Sequence, residues 1–566
     1  MRRIAPAALL ALASSIAAFG TGCSAQEVDA ADADQGEIVQ APSRGPKVCA
    51  AVRGNGHYVV THFASLARIV EHYGVVDGMA GGSSGSLSTF IYDSMLKNDA
   101  IRSCSGKRCS EAQHAARLAL ALKSVQGYAE AVGGSDEAAS IGQLVGTAMK
   151  LKAEVDARGI AGLADSDTAE AARQLKEVLA IPEVKAIINP EITAMLADTE
   201  HLAFNVKEIQ TSITTLGAFS VDDNRLFFRP GILGWNELAT LFARVADFYA
   251  GYGPAADAPL GAWLDACTDA TAGKPWAEAA MTAHPAGGTC GEAFRKITAD
   301  YRAAARAAAP GSYKSRVDER VGDASALHKV ISTSVLEGDA VGAYQTARAA
   351  YKSGAHPTGN IPFTPSFSDI KFGYWGSDAD LKTIARNDLG TNDLKTQKLT
   401  SLGNATWRQI LQASPAEPGL SRFVELADGR ISAGGWSDLA PTLVLKNLGC
   451  ENVIYVQREG DESQFATKIA KHLGMNEQAW SSLFDLSNPK SAYSISVASA
   501  EGVWCTNWNS FGDTQIGEMA LDAYSAPLEV RTGFHLDALS PYPRTTERTG
   551  RPGCTPGVGG GATFPR

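Results

Sequence analysis

Beyond Phe19 the chain has no apolar run approaching the roughly 20 residues needed to span a bilayer as a helix, which excludes a bundle of membrane helices. It also lacks a basic cluster. Fifty-one Lys and Arg stand against 61 Asp and Glu, for a net charge of −10. This balance disfavours nucleic acid as a partner and gives no electrostatic reason to adhere to anionic lipid. No C-x-x-C pair or His-rich spacing suggests zinc, and no D-x-D-x-D-G loop suggests calcium, so the sequence calls for no metal and no cofactor. No segment repeats another.

The chain opens with an export pattern. Arg2 and Arg3 precede an apolar stretch from Ile4 to Phe19, and Gly20-Thr21-Gly22-Cys23 follows. Residues 1–23 therefore read as a signal peptide. Small residues before Cys23 resemble the bacterial lipoprotein cleavage box, although Gly20 stands where an aliphatic residue is usual. Two expectations remain open: a cell-envelope lipoprotein held by lipidated Cys23, or a plainly secreted protein. Acylation of Cys23 would leave eight of the nine cysteines to pair in an oxidising compartment. Cys104 with Cys109 and Cys267 with Cys290 are the expected local pairs; the pairing of Cys49, Cys450, Cys505 and Cys554 stays open.

Residues 24–45 are acidic and poor in large apolar side chains, as a solvated linker would be. From Lys47 onward an apolar run, a glycine turn, a helical stripe (Phe63, Leu66, Val70, Tyr73) and a second short strand at Val75 to Met79 follow in order. That alternation predicts an α/β fold with a mainly parallel sheet. Residues 46–100 form its first part. An Ala-rich helical insertion spans 101–325, with a clear stripe from Trp235 to Tyr249. Strand signals return at Val330 to Val335, Phe423 to Leu426 and Asn452 to Val456, giving a second core part over 326–470. Residues 471–566 read as a helical and loop-rich extension, disordered at its Gly- and Pro-rich end.

Gly81-Gly82-Ser83-Ser84-Gly85 fits the G-x-S-x-G elbow, in which a strand turns sharply into a helix and small neighbours leave the serine hydroxyl exposed. Leu87, Phe90, Ile91 and Met95 continue it at helical spacing. Ser83 is the nucleophile candidate; Ser84 is the poorer one, its frame ending in Ser86. Upstream, Gly54-Asn55-Gly56 can aim main-chain N–H groups at the oxyanion of a tetrahedral intermediate. By itself each is a common glycine turn.

A serine elbow directly after the second strand is too early for an ordinary α/β-hydrolase. The arrangement resembles the patatin-like phospholipases, in which a glycine-rich oxyanion loop follows the first strand, the serine elbow the second, and a distant aspartate completes a dyad. Ala413-Ser414-Pro415-Ala416-Glu417-Pro418-Gly419 resembles the family's A-S-x-A-x-P-G stretch. After a hairpin the family has D-G-G, then Asn or Asp, then Pro; here Ala433-Gly434-Gly435 and Pro441 fall in register, so Ala433 holds the aspartate's place. Tyr58 stands where the family usually carries Arg or Lys. The resemblance covers residues 47–98 and 328–458.

A serine hydroxyl needs a base within hydrogen-bond reach. Asp438, on the same loop, is the favoured substitute, with helix capping near Pro441 as its bland role; Asp428 is the alternative in another register. A Ser-Asp-His triad would instead use His472 or His535. His57, His62 and His72 read as surface or packing residues. The resemblance implies a lipid acyl hydrolase acting on a lipid or ester substrate. The alternative is an envelope protein that keeps the scaffold, has lost efficient chemistry, and binds lipid or a partner.

Overall fold

The computed structural model describes residues 48–54, 59–133, 154–155, 157–160, 167–215, 235–254, 257–322, 327–336, 338–352, 370–386, 398–401, 405–415, 423–426, 429–435, 441–450, 452–456, 503–506, 524, 528–531 and 562–563. Outside them lie Cys23 with the expected export signal, the 24–45 linker, Asn55, Gly56, His57, Tyr58, Asp428, Asp438, His472, His535 and Cys554.

The first strand, β1 (Val48–Val52), is apolar throughout and buried from Cys49 onward, the pattern of a strand inside a covered parallel sheet. After it comes α1 (Val59–Tyr73), then β2 (Gly78–Gly81) and α2 (Ser84–Lys97). β2 begins three residues later than the stretch expected at Val75 to Met79. Val76 instead gives its N–H to the Tyr92 hydroxyl at 3.1 Å, and Asp77 gives its own to the Val48 carbonyl, which holds both in the turn before the strand. Every residue of α2 from Ser84 to Leu96 is buried. Its hydroxyls survive burial because Ser88, Thr89 and Ser94 each donate to the carbonyl four residues back.

The short helix α3 (Asp99–Arg102) leads to a hairpin of β3 (Ser103–Cys104) and β4 (Lys107–Arg108), and then to α4 (Glu111–Gly133). The sheet resumes with β5 (His328–Leu336), β6 (Ile370–Gly376), β7 (Lys398–Ser401), β8 (Val424–Glu425), β9 (Ile431–Gly434) and β10 (Asn452–Val456). Last come β11 (Val503–Thr506), β12 (Leu528–Arg531) and β13 (Ala562–Thr563). The order is β13-β12-β11-β10-β1-β2-β5-β6-β7. From β11 through to β5 all neighbours are parallel, so the chain is α/β with a mostly parallel sheet, as expected. Of the expected C-terminal extension, Tyr524 is helical, while Val503–Thr506, Leu528–Arg531 and Ala562–Thr563 add strands to the sheet.

The two edges of β5 decide where the site forms. β6 runs antiparallel along one edge from Val330 to Leu336. β2 takes the other edge at His328 to Ile331, and β9 takes that same edge at Ser334 and Val335. The turn after β2 is thereby aimed at the end of β9, across Ser332 and Thr333.

Helices of the expected insertion share a continuous hydrophobic core with α1, α2 and the sheet: α4, Trp235–Ala250, Asp257–Thr271, Trp276–Met281 and Cys290–Ala307. Residues between Val155 and Ile209 pack a second core of their own. Among the described residues three disulfides form. Cys104–Cys109 and Cys267–Cys290 are the expected local pairs. Cys49–Cys450 joins β1 to the turn before β10, with Cα atoms 6.0 Å apart. A buried ionic group fastens the segment before β5 to α2: Arg316 bonds Asp93 at 2.6 Å and also Glu319, and Lys329 reaches Asp93 at 3.2 Å. Among the described residues no helix is long and apolar enough to cross a membrane.

Candidate active site

β2 must turn into α2 within two residues, and the turn places Ser83 at φ 51° and ψ −125°. Among the described residues only Ser83 and Ser105 combine a side chain with positive φ. Ser105 sits at the tip of the disulfide-closed hairpin. For Ser83 the conformation costs about 1–3 kcal/mol and persists only where the surroundings over-determine it. At the N-cap of a helix a serine ordinarily accepts a hydrogen bond from the first turn; Ser83 makes no such side-chain cap bond. Its carbonyl receives the Ser86 N–H at 3.0 Å and the Ser86 hydroxyl at 2.6 Å. Ser84 N–H opens the first turn of α2, where amides have no intrahelical acceptor and the helix dipole is positive.

What holds the bend comes from far away in sequence. Ser83 donates its N–H to Ser414 Oγ at 3.1 Å, and Ser414 Oγ donates to the Ser332 carbonyl at 3.1 Å. Ser414 in turn is fixed by the helix Trp407–Ala413, which a Thr406–Gln409 capping box starts and whose Trp407 ring lies 5.0 Å from Phe90 of α2. Gly435 gives its N–H to the Ser414 carbonyl at 2.6 Å, and Ser334 Oγ donates to the Gly434 carbonyl at 2.6 Å. The end of β9 is therefore pinned beside the elbow by serine hydroxyls and main chain.

Three glycines leave no room for anything larger. A methyl group on Gly82 would lie 2.1 Å from the Gly435 carbonyl oxygen, and one on Gly435 would lie 2.8 Å from Ser83 N. A methyl on Gly85 would meet the Val52 carbonyl oxygen at 2.4 Å. These contacts put the β1 end, the elbow and the β9 end in one place. Gly54, two residues beyond Val52, is buried there.

Of the residues singled out in sequence, Ser83, Gly54 and the Gly434-Gly435 pair are brought together. Asn55 and Gly56 of the oxyanion turn, and Asp438 and Asp428 as bases, lie outside the described residues. Ala433 is the third residue of β9, two before the glycine that touches Ser83. His62 is buried, with Nδ1 2.8 Å from Ser88 Oγ, so it packs between α1 and α2. His72 closes α1, and burial lowers its pKa. In the sequence Ser414 is one residue of the A-S-x-A-x-P-G-like stretch with no task of its own, and Ser332 and Ser334 are legible only as part of a strand, because alternating serines in a strand carry no further local signal.

No group of acidic, His or Cys side chains among the described residues could hold a metal ion. No protein-family model matches the chain, and neither a curated protein nor a solved structure matches it.

Proposed function

We propose that the chain is a serine acyl hydrolase of patatin-like layout, acting on carboxylic esters of lipids. One observation carries this reading: a buried serine held at positive φ between strand and helix, with the remote glycine Gly435 packed against it and the end of β1 against the glycine two residues on. Ser105 adopts a similar φ at an exposed hairpin tip, whereas Ser83 holds it while buried at a strand-to-helix bend, the place where a nucleophile elbow puts its serine.

In the reaction, Ser83 Oγ attacks the acyl carbonyl and gives its proton to a base, with Asp438 favoured. The oxyanion is met by Ser84 N–H and by main-chain amides of Gly54 to Gly56. The alcohol leaves with a proton, and water then hydrolyses the acyl-serine to release the acid. The three disulfides accord with an exported setting, for which Cys23 supplies the anchoring site in a lipoprotein.

Turnover of short- and long-chain nitrophenyl esters, and release of fatty acid from phospholipid vesicles, test the reading. Ser83→Ala is expected to abolish both. Asp438→Asn is expected to slow turnover by roughly 10²- to 10⁴-fold, the usual contribution of a positioned base. Full activity in Ser83→Ala would remove the proposal. The second reading, a binding protein on the same scaffold, is favoured by one feature, alanine at position 433. It predicts vesicle binding with no turnover in the unmodified protein.

A further inference from the structure

We propose that Ser332 is a positioning residue: its hydroxyl closes onto the Gly435 carbonyl when the site reacts, and so sets where the chain leaves β9 toward Asp438. This deepens the proposed function and rests on it. Ser332 lies on β5 between the residues that pair with β2 and those that pair with β9. It is fully buried, and among the described residues its hydroxyl has no hydrogen-bond partner. A buried hydroxyl left unmatched has given up water without replacement, and most such groups in folded proteins are paired. The serines around it follow that rule. Ser334 donates to the Gly434 carbonyl, Ser414 to the Ser332 carbonyl and Ser432 to the Ala413 carbonyl. Ser332 is the exception in this group.

An acceptor lies close by. A methyl group on Gly82 would stand 2.8 Å from Ser332 Cβ and 2.1 Å from the Gly435 carbonyl oxygen, so both sit against the same side of Gly82, the residue before Ser83. Gly435 is buried and gives its N–H to the Ser414 carbonyl, while among the described residues no donor reaches its own carbonyl. A donor without an acceptor and an acceptor without a donor are therefore neighbours at the elbow. Rotation of the Ser332 side chain about its Cα–Cβ bond, with a small inward shift of the β9 end, joins them. Only glycine at position 82 keeps the space between them open. Gly435 stands three residues before Asp438 in sequence, so fixing its carbonyl fixes the direction in which the base-bearing segment departs. Proton transfer needs that base within hydrogen-bond reach of the nucleophile. In the free protein the unmatched pair is a cost in stability, of the kind that functional sites carry.

The test compares the full-length protein with its Ser332→Ala and Ser332→Cys variants by nitrophenyl ester turnover, by the rate of fluorophosphonate labelling and by urea unfolding. Ser332→Ala is expected to lower kcat about tenfold, the worth of one lost hydrogen bond, with KM unchanged. Its unfolding midpoint should stay level or rise, because an unmatched buried hydroxyl has been removed. Ser332→Cys, which keeps a weak donor, should recover part of the rate. A rate loss that merely follows a fallen midpoint would make Ser332 a structural residue and overturn the role. The two readings fail separately: a reactive protein whose Ser332→Ala variant is equally fast overturns this role alone, whereas an unmodified protein that neither turns over ester nor takes the label overturns the proposed function and this role with it.

Discussion

Ser83 owes its conformation to partners drawn from three segments, and Ser414 is the most direct. Its hydroxyl accepts the Ser83 amide and donates to the Ser332 carbonyl. Ser414→Ala would leave two buried main-chain groups unmatched, at about 1–3 kcal/mol for each unsatisfied group. Denaturant unfolding should register that loss. The bend should also relax, so Ser83 is expected to react more slowly with active-site reagents. A variant with lowered stability but unchanged serine reactivity would show that Ser414 supports the fold without positioning the nucleophile. The bend itself could be read from the chain alone, because small residues around a serine between a strand and a helix allow a sharp turn, and Ser83 takes a positive φ there. The hydroxyl network could not: Ser332, Ser334 and Ser414 take their tasks from strand pairings and a helix end separated by 80 residues or more.

Among the elements, the helix Trp235–Ala250 is anchored at its carboxyl end by Asp247. Asp247 receives the Arg316 N–H at 2.6 Å and the Ser315 hydroxyl at 2.9 Å. Burial is the largest influence on its carboxyl and raises the pKa from 3.8 to about 6, against the lowering effect of those bonds and of the Arg316 charge. A raised folded-state value means that the protonated form is favoured in the fold. The contribution is full below 3.8 and is lost as pH rises through about 6. Asp247→Asn should therefore flatten the fall in stability over that interval, a difference of about 3 kcal/mol for two pKa units. Urea unfolding at stepped pH measures it, and parallel curves for the two proteins would refute it. Elements with local signals were legible: Asn452 to Val456 is β10, and the Trp235 stripe is a helix. The site's completion depends on β9 taking the same edge of β5 as β2, and edge choice is a non-local matter that periodicity does not encode.

For the molecule as a whole, Cys49–Cys450 ties the first core strand to a turn 401 residues later and so fastens the two sequence-distant halves of the sheet. Gly78 accommodates it; a methyl there would stand 2.9 Å from Cys49 Sγ. Paired Cys49→Ser and Cys450→Ser changes should lower the unfolding free energy by about 2–5 kcal/mol, and adding a thiol reductant to the unmodified protein should narrow the gap. Equal stability would mean that the pair carries no load. Spacing favoured the two local disulfides, whereas this one joins residues whose neighbourhood exists only once β1 and β10 have paired. That pairing also carries the serine's surroundings, since β1 abuts the elbow through Val52. The proposed function requires that the fold activate the hydroxyl of Ser83. A fluorophosphonate ester followed by peptide mass mapping tests this: one adduct is expected, on the peptide carrying Ser83, absent from Ser83→Ala and from heat-unfolded protein. An adduct on a different serine, or none on the folded chain, would contradict it.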